Sequence, residues 1–214
     1  MSYILNITWF ILQGSLTTIE LFFVTALFAT PLGFFVAMGE VSKFKPLSRL
    51  LYIYTWIFRG TPLMLQIFFV YYGLPTLGIK FDSFTAASLA MVINYAAYLA
   101  EIFRAGIQSI DIGQIEASRA LGMSYGQMMR YIILPQTVKR VLPPVSNEFI
   151  SLIKDTALVS VIGMGDLLRA AKQVVTRDFN ITAFIIAAIL YLVMTSIVVA
   201  VFRRLEEKYA VYEG

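Results

Sequence analysis

The 214-residue sequence contains no cysteine and no histidine. Without cysteine there is no disulfide, no thiol nucleophile and no zinc–thiolate centre. Without histidine the commonest metal ligand and the usual general base are both missing. Charge is scarce as well. Only 14% of the residues are Asp, Glu, Lys or Arg, where a soluble domain carries nearer a quarter. No G-x-x-x-x-G-K-[ST] phosphate loop occurs, and no carboxylate pair stands in a segment that reads as a soluble cleft. The composition therefore argues against an enzyme, a nucleotide-binding site of its own and any resident cofactor. The net charge of +4 is too small to suggest a nucleic-acid surface. No Lys or Arg precedes Lys43, so a cleaved secretory leader with a basic start is not expected.

What the chain has in abundance is apolar surface. Hydrophobic residues make up 59% and the mean hydropathy is +0.77, more than a core of this size can hide. Lipid is the natural solvent, and the 17 Phe, 12 Tyr and 2 Trp suit interfacial belts as well as packing. Five apolar runs predict an all-α integral membrane protein of one domain, residues 1–214. They cover Ile19 to Ala37, Leu50 to Tyr72, Phe84 to Phe103, Val145 to Ile162 and Ile181 to Phe202. The stretch from Tyr3 to Leu12 is also apolar and reads as an interfacial segment or as an extended first turn of the first span, with Gln13-Gly14-Ser15 between them. A Gly60-Thr61-Pro62 break interrupts the second run. The fourth is short, follows Pro143-Pro144 and carries Glu148, Lys154 and Asp155. Five spans put the termini on opposite sides. With the N-terminus outside, 11 of the 17 Lys and Arg residues fall on the inner side, and the positive-inside rule selects that orientation. An outer amphipathic helix is expected from Asp166 to Asp178, with Leu167, Leu168, Ala171, Val174 and Val175 on its apolar stripe.

The segment 111–136, between the third and fourth spans, is more elaborate than a connection needs to be. Asp111 with Gln114 and Ser124 with Gln127 have capping-box spacing. Gly122 stands where a left-handed residue would end the first helix, and Leu134-Pro135 predicts an end to the second. Two short helices, Ile112 to Leu121 and Tyr125 to Ile133, are thus expected at the inner face. The first has small and apolar residues suited to a partner's groove; an ordinary amphipathic loop packed under its own bundle fits these residues equally well.

Ionisable side chains within spans cost a few kcal/mol or more and tend to face a cavity or a partner. Glu148, Ser151 and Asp155 are spaced i, i+3, i+7 and fall on one helical stripe. Two carboxylates on one stripe suit a cationic ligand such as a guanidinium or an ammonium. Asn94, Tyr98 and Glu101 make a second stripe on the third span, and Gln66 and Phe69 lie on the second. Ion pairs between helices, Arg59 with Glu148 or Lys154 with Glu101, would account for the same charges structurally. Buried amides such as Asn94 and Gln66 often bond only to neighbouring helices.

The pattern Glu116-Ala117-Ser118, three residues, Gly122, nine residues, Ile132, one residue, Leu134-Pro135 resembles the E-A-A-x3-G-x9-I-x-L-P motif of ABC importer permeases, with Ser118 in place of the second alanine. "FRGTPLMLQIFF" from Phe58, "AEIFRAGIQSIDIGQIEASRALGMS" from Ala100 and "LIKDTALVSVIGMGDLLRAAKQV" from Leu152 resemble the polar amino acid branch, of the histidine, glutamine and arginine type. Two positions depart from that branch's usual pattern, Ala157 in T-S-L and Ala105 in Gly-Gly. The resemblance implies a multi-pass permease in the cytoplasmic membrane of a prokaryote. Its loop would be a coupling helix docking on a separate ABC ATPase through Glu116, Ala117, Ser118 and Gly122. Further partners would be a second permease protomer, similar or identical, and an external amino acid-binding protein near Lys80-Phe81-Asp82 and the 169–177 helix. ATP would bind on the ATPase alone. The carried solute would be a basic or polar amino acid such as arginine, lysine or histidine. Glutamine or another neutral amino acid is the alternative. A gradient-driven carrier using Glu148, Asp155 and Lys154 as an ion relay is a more distant one.

Overall fold

The computed structural model describes residues 2–210, and every regular element among them is helical. Helix α1 (Ser2–Glu40) leads into α2 (Lys45–Gly60) and α3 (Leu63–Phe68). The chain then runs through a π turn (Phe69–Gly73) and a 3-10 turn (Leu74–Leu77) to α4 (Ser83–Gln108). Two short helices follow, α5 (Ile112–Ala120) and α6 (Tyr125–Met128). A π turn at Met129–Ile133 joins α6 to α7 (Leu134–Asp155), which tightens into a 3-10 turn at Thr156–Ile162. Helices α8 (Leu167–Asp178) and α9 (Thr182–Ala210) complete the chain.

Among the described residues three helices, α1, α4 and α9, are long and apolar enough to cross a membrane, and α2 with α3 makes a fourth candidate if the bent pair is one span. Helix α4 is central. Its buried face is built of Ala86, Ala87, Ala90, Ala96, Ala97 and Ala100. Such small residues let neighbouring helices approach closely where lipid provides no hydrophobic drive for helices to associate. Leu21, Ile67, Met91, Leu99, Leu152 and Val159 complete one continuous core around it. Helix α7 packs within this assembly, carries Lys139, Arg140, Glu148, Lys154 and Asp155, and is not among these apolar helices. Helix α9 is only 11% buried across its most apolar window, so its surface faces lipid or another protein.

Helix α8 has the expected amphipathic form, with Leu167, Ala171 and Val174 buried against Ile7 and Ile11 of α1 and Ala183 and Ala187 of α9. Buried Asp166 caps it, accepting from the backbone N–H of Leu168 at 2.9 Å and of Arg169 at 3.1 Å. At its other end the Tyr3 hydroxyl donates to Asp178 at 2.7 Å. Hydrogen bonds from Arg177 and Tyr3 hold the Asp178 carboxyl down at about 2. A depressed acid stabilises above its unfolded value and loses that contribution as the pH falls through the folded one, so this latch is intact throughout neutral and mildly acidic conditions.

Three expectations built on helix breakers are corrected. Gly14 does not separate an interfacial segment from a first span, because α1 is one helix of 39 residues. The glycine instead allows a close crossing, since a Cβ on it would lie 2.8 Å from the Asp166 carbonyl oxygen. Leu134-Pro135 does not end the second short helix. In the π turn before it, the Leu134 N–H bonds the Met129 carbonyl. That wider turn lets the chain pass from α6 into α7 with Pro135 in the first turn of the new helix, where a missing N–H costs nothing. Pro143 and Pro144 lie inside α7 rather than before it. The carbonyls four residues earlier belong to Lys139 and Arg140, at the polar end of the helix.

The Gly14 crossing yields a test. Gly14→Leu is expected to lower stability by about 1–3 kcal/mol, the usual range for overpacking, read as a lower midpoint of thermal unfolding in detergent. An unchanged midpoint would mean that α8 does not sit on α1 in this way.

Candidate functional site

The site begins at a defect. Thr61 and Pro62 are extended (φ −117° and −61°), as expected around a residue that precedes proline. Helices α2 and α3 therefore meet at a bend of 102°. The last carbonyls of α2 are left without helical donors, and inside a membrane each must be satisfied by protein. The Thr61 hydroxyl donates to Ile57 O at 2.9 Å. Asn94 Nδ2 and Gln66 Nε2 both donate to Phe58 O, at 2.9 and 3.0 Å, and Asn94 also donates to Gln66 Oε1 at 3.0 Å. The Tyr98 hydroxyl donates to Arg59 O at 3.2 Å. Glu101 receives the Arg59 side chain at 3.1 Å. The i, i+4, i+7 stripe of α4 thus meets the broken end of α2 at successive levels.

Behind the bend lies a cleft of about 640 Å³, lined by residues 59–64, by Asn94, Tyr95 and Tyr98 of α4, and by Glu148, Ser151 and Asp155 of α7. The two carboxylates and the hydroxyl between them share the wall their spacing predicts. Tyr95, itself 4% exposed, donates to Asp155 Oδ2 at 2.8 Å. Among the described residues, Arg59 is the one cation lining the cleft. It is held beside Glu101 and over the Tyr98 ring, 5.9 Å from its centroid. The expected partners of these charges differ. Arg59 pairs with Glu101 and not with Glu148, while Lys154 is exposed on another face of α7, beside Ala157, Tyr191 and Thr195. Glu101 also receives Arg104 through two nitrogens. Arg104 in turn lies 3.6 Å from the buried Glu40, whose other oxygen accepts from the Thr55 hydroxyl at 2.7 Å. Removing Arg104 would leave the buried Glu40 without its neighbouring cation, at a cost of about 3–5 kcal/mol for a fully buried charge.

Two predicted site residues are not in the cleft. The Gln66 amide is engaged by Phe58 O, Thr61 and Asn94. Phe69 opens the π turn after α3 and is 60% exposed away from the cleft. Two lining residues, Arg59 and Tyr95, were missed as site residues. Neither is on a stripe with the acids, and only the packing of α4 against α7 brings Tyr95 to Asp155.

In the segment 111–136 the first short helix forms as expected, while the second is a start that runs on into α7. Asp111 caps α5 through the Gly113 N–H at 2.6 Å. Ser124 and Gln127 form a reciprocal capping box. Gly122 is left-handed at φ +74° with no atom within 4 Å of an added Cβ, so backbone conformation alone requires glycine there. Glu116 and Ala117 are exposed, Ser118 is buried and donates to Gln114 O, and the apolar Ile112 and Leu121 stand 70% and 81% exposed.

Residues 29–211 match the family of binding-protein-dependent transport system inner membrane components. The chain belongs to that family. This permease is 43% identical, over 93% of its length and 92% of the relative's, to the arginine transport system permease protein ArtQ of Bacillus subtilis (strain 168). It is 37% identical, over 93% and 92%, to a putative glutamine transport system permease protein GlnP of Rickettsia bellii (strain RML369-C). Among solved structures, the permease is similar to a chain from a crystal structure of an amino acid ABC transporter with histidines, with TM-score 0.89, 38% identity, and coverage of 96% and 97%. Permeases of this kind are transport subunits of ABC systems, and ATP hydrolysis belongs to a separate subunit.

The bond set at the bend predicts that Asn94→Leu removes both donors of that amide and lowers the permease's stability by about 1–3 kcal/mol. Thermal unfolding in detergent measures this, and a Leu variant as stable as the parent would show that the bend holds without α4.

Proposed function

We propose that this permease forms the translocation path of an ATP-driven importer for a basic amino acid. It would do so as five spans, with α2–α3 bent and α7 polar, the N-terminus outside and the C-terminus in the cytoplasm of a prokaryotic cell. The observation that carries this reading is the placement of Glu148 and Asp155 on one wall of a cleft at a broken span. Broken spans are where transporters place their solute sites. The two carboxylates and Arg59 leave the cleft with one net negative charge. An amino acid with a cationic side chain brings two positive groups and one negative, and matches it. Ser151 and Asn94 line the same wall, and the similarity to an arginine permease supports the choice. Glutamine is the second reading, supported by relatives named for it at 35–41% identity.

The coupling step would use the exposed pair α5–α6. Ile112, Glu116, Ala117 and Leu121 would enter a groove of a cytoplasmic ABC ATPase, with Gly122 setting the angle between the helices. Closure of two ATPases would draw two permease protomers from inward- to outward-facing. An external binding protein would deliver the solute near Lys80 and α8.

Uptake competition among arginine, lysine, histidine and glutamine tests the solute. Arginine or lysine should compete best. Glu148→Gln or Asp155→Asn should weaken the basic amino acid by roughly 10–100-fold, the loss of one charge-assisted hydrogen bond, while glutamine is little affected. Preference for glutamine in the parent would select the second reading. Gly122→Val tests the coupling. A β-branched residue is strained at φ +74°, so basal ATP hydrolysis should persist while its stimulation by solute and transport are lost. Unimpaired transport would count against the hinge.

A further inference from the structure

The end of α1 and the α5–α6 pair enclose a second cavity, of about 580 Å³, that no step above uses. Its floor is apolar: Met38 from α1, Ile107 from α4, Ile115 from α5 and Met129 from the π turn. Its rim carries two cations, Lys43 and Arg119, and no carboxylate among the described residues lines it. Neither cation has a hydrogen-bond or ion-pair partner among the described residues. The surroundings are those of a bilayer interface. Phe44, beside Lys43, is 63% exposed, and Tyr125 and Tyr131 stand exposed next to the α6 turn. Aromatic side chains in this setting sit at headgroup level. An apolar floor, an unpaired basic rim and an aromatic fringe at the cation-rich face together fit an amphiphile with a negative head.

We infer that an anionic phospholipid of the cytoplasmic leaflet binds here. Its phosphate bridges Lys43 and Arg119, and the first part of an acyl chain lies along Met38, Ile107 and Met129. Basic pockets between membrane helices on the cytoplasmic side take such headgroups. The lipid would join the end of α1 to α5 through charge, beside the apolar cluster of Met128, Met129 and Ile133 against which Met38 and Ile115 pack. This inference rests on the proposed cytoplasmic placement of α5–α6. It is read by lipid retention without any transport step, so its failure is distinguishable from a failure of the importer reading.

Native mass spectrometry of the full chain, purified with its ATPase in mixed micelles of phosphatidylglycerol and phosphatidylcholine, tests it. One phosphatidylglycerol per copy should be retained, favoured over phosphatidylcholine by about thirtyfold, the worth of two basic contacts. Lys43→Gln with Arg119→Gln should bring that ratio close to one. The charge-preserving Lys43→Arg with Arg119→Lys should keep most of it, and Arg203→Gln with Arg204→Gln should leave it as in the parent. Equal retention of the two lipids, or an unchanged ratio in the Gln pair, would overturn the inference. So would displacement of the lipid by millimolar inorganic phosphate, which marks a free-anion site, or retention only in the absence of the ATPase, which marks a surface the ATPase covers.

Discussion

Three side chains of α4, Asn94, Tyr98 and Glu101, meet the broken end of α2, and the rest of the site depends on that junction. A helix that stops inside a membrane exposes carbonyls that lipid cannot satisfy. Here Phe58 O and Arg59 O are taken up by amide and phenol donors from α4, and the Arg59 side chain is taken up by Glu101. The bend can therefore persist at depth, and a persistent bend is what opens the cleft toward Glu148 and Asp155. The same residues could have been read as a ligand site, and Asn94 does line the cleft. Its donors, however, are already engaged by the backbone of α2 and by Gln66, so its first task is to keep the cleft's wall in place.

The charges divide by depth and by task. Glu148 and Asp155 face the cleft, where a solute could meet them. Glu101, Arg104 and Glu40 form a ladder between helices, with one oxygen of the buried Glu40 accepting from Thr55 and the other flanked by Arg104 at 3.6 Å without a hydrogen bond. Lys43 and Arg119 face a separate cavity by α5 and α6. On the proposed reading, selection and drive would thus use different residues on different elements. Only Arg59 belongs to two of these groups, since it lines the cleft and contacts the ladder.

Much of this was legible in the sequence, and the failures have a common cause. The long apolar runs of α4 and α9, the break at Gly60-Thr61-Pro62, the caps at Asp111 and Ser124 and the left-handed Gly122 follow from local rules, because local geometry decides them. The acid stripe of α7 followed from helical period. Gly14, Pro135 and Pro143-Pro144 were read as breaks and are not. In each case the local cost is offset by something a sequence window does not contain: a close crossing with Asp166, a π turn, or the polar end of a packed helix. Period likewise shows that Asn94, Tyr98 and Glu101 share a face, but not that the face meets α2. It says nothing of Tyr95 reaching Asp155 from another helix.

The absence of cysteine makes the central claim, a water-accessible anionic cleft at the broken span, directly measurable. Ser151→Cys would introduce the only thiol in the chain, between Glu148 and Asp155. The rate of its modification by a cationic methanethiosulfonate reagent, compared with an anionic one, reads the cleft's access and charge. The account predicts faster reaction with the cation, slowed by arginine. A thiol that does not react, or reacts equally with both reagents and without protection by any amino acid, would contradict it.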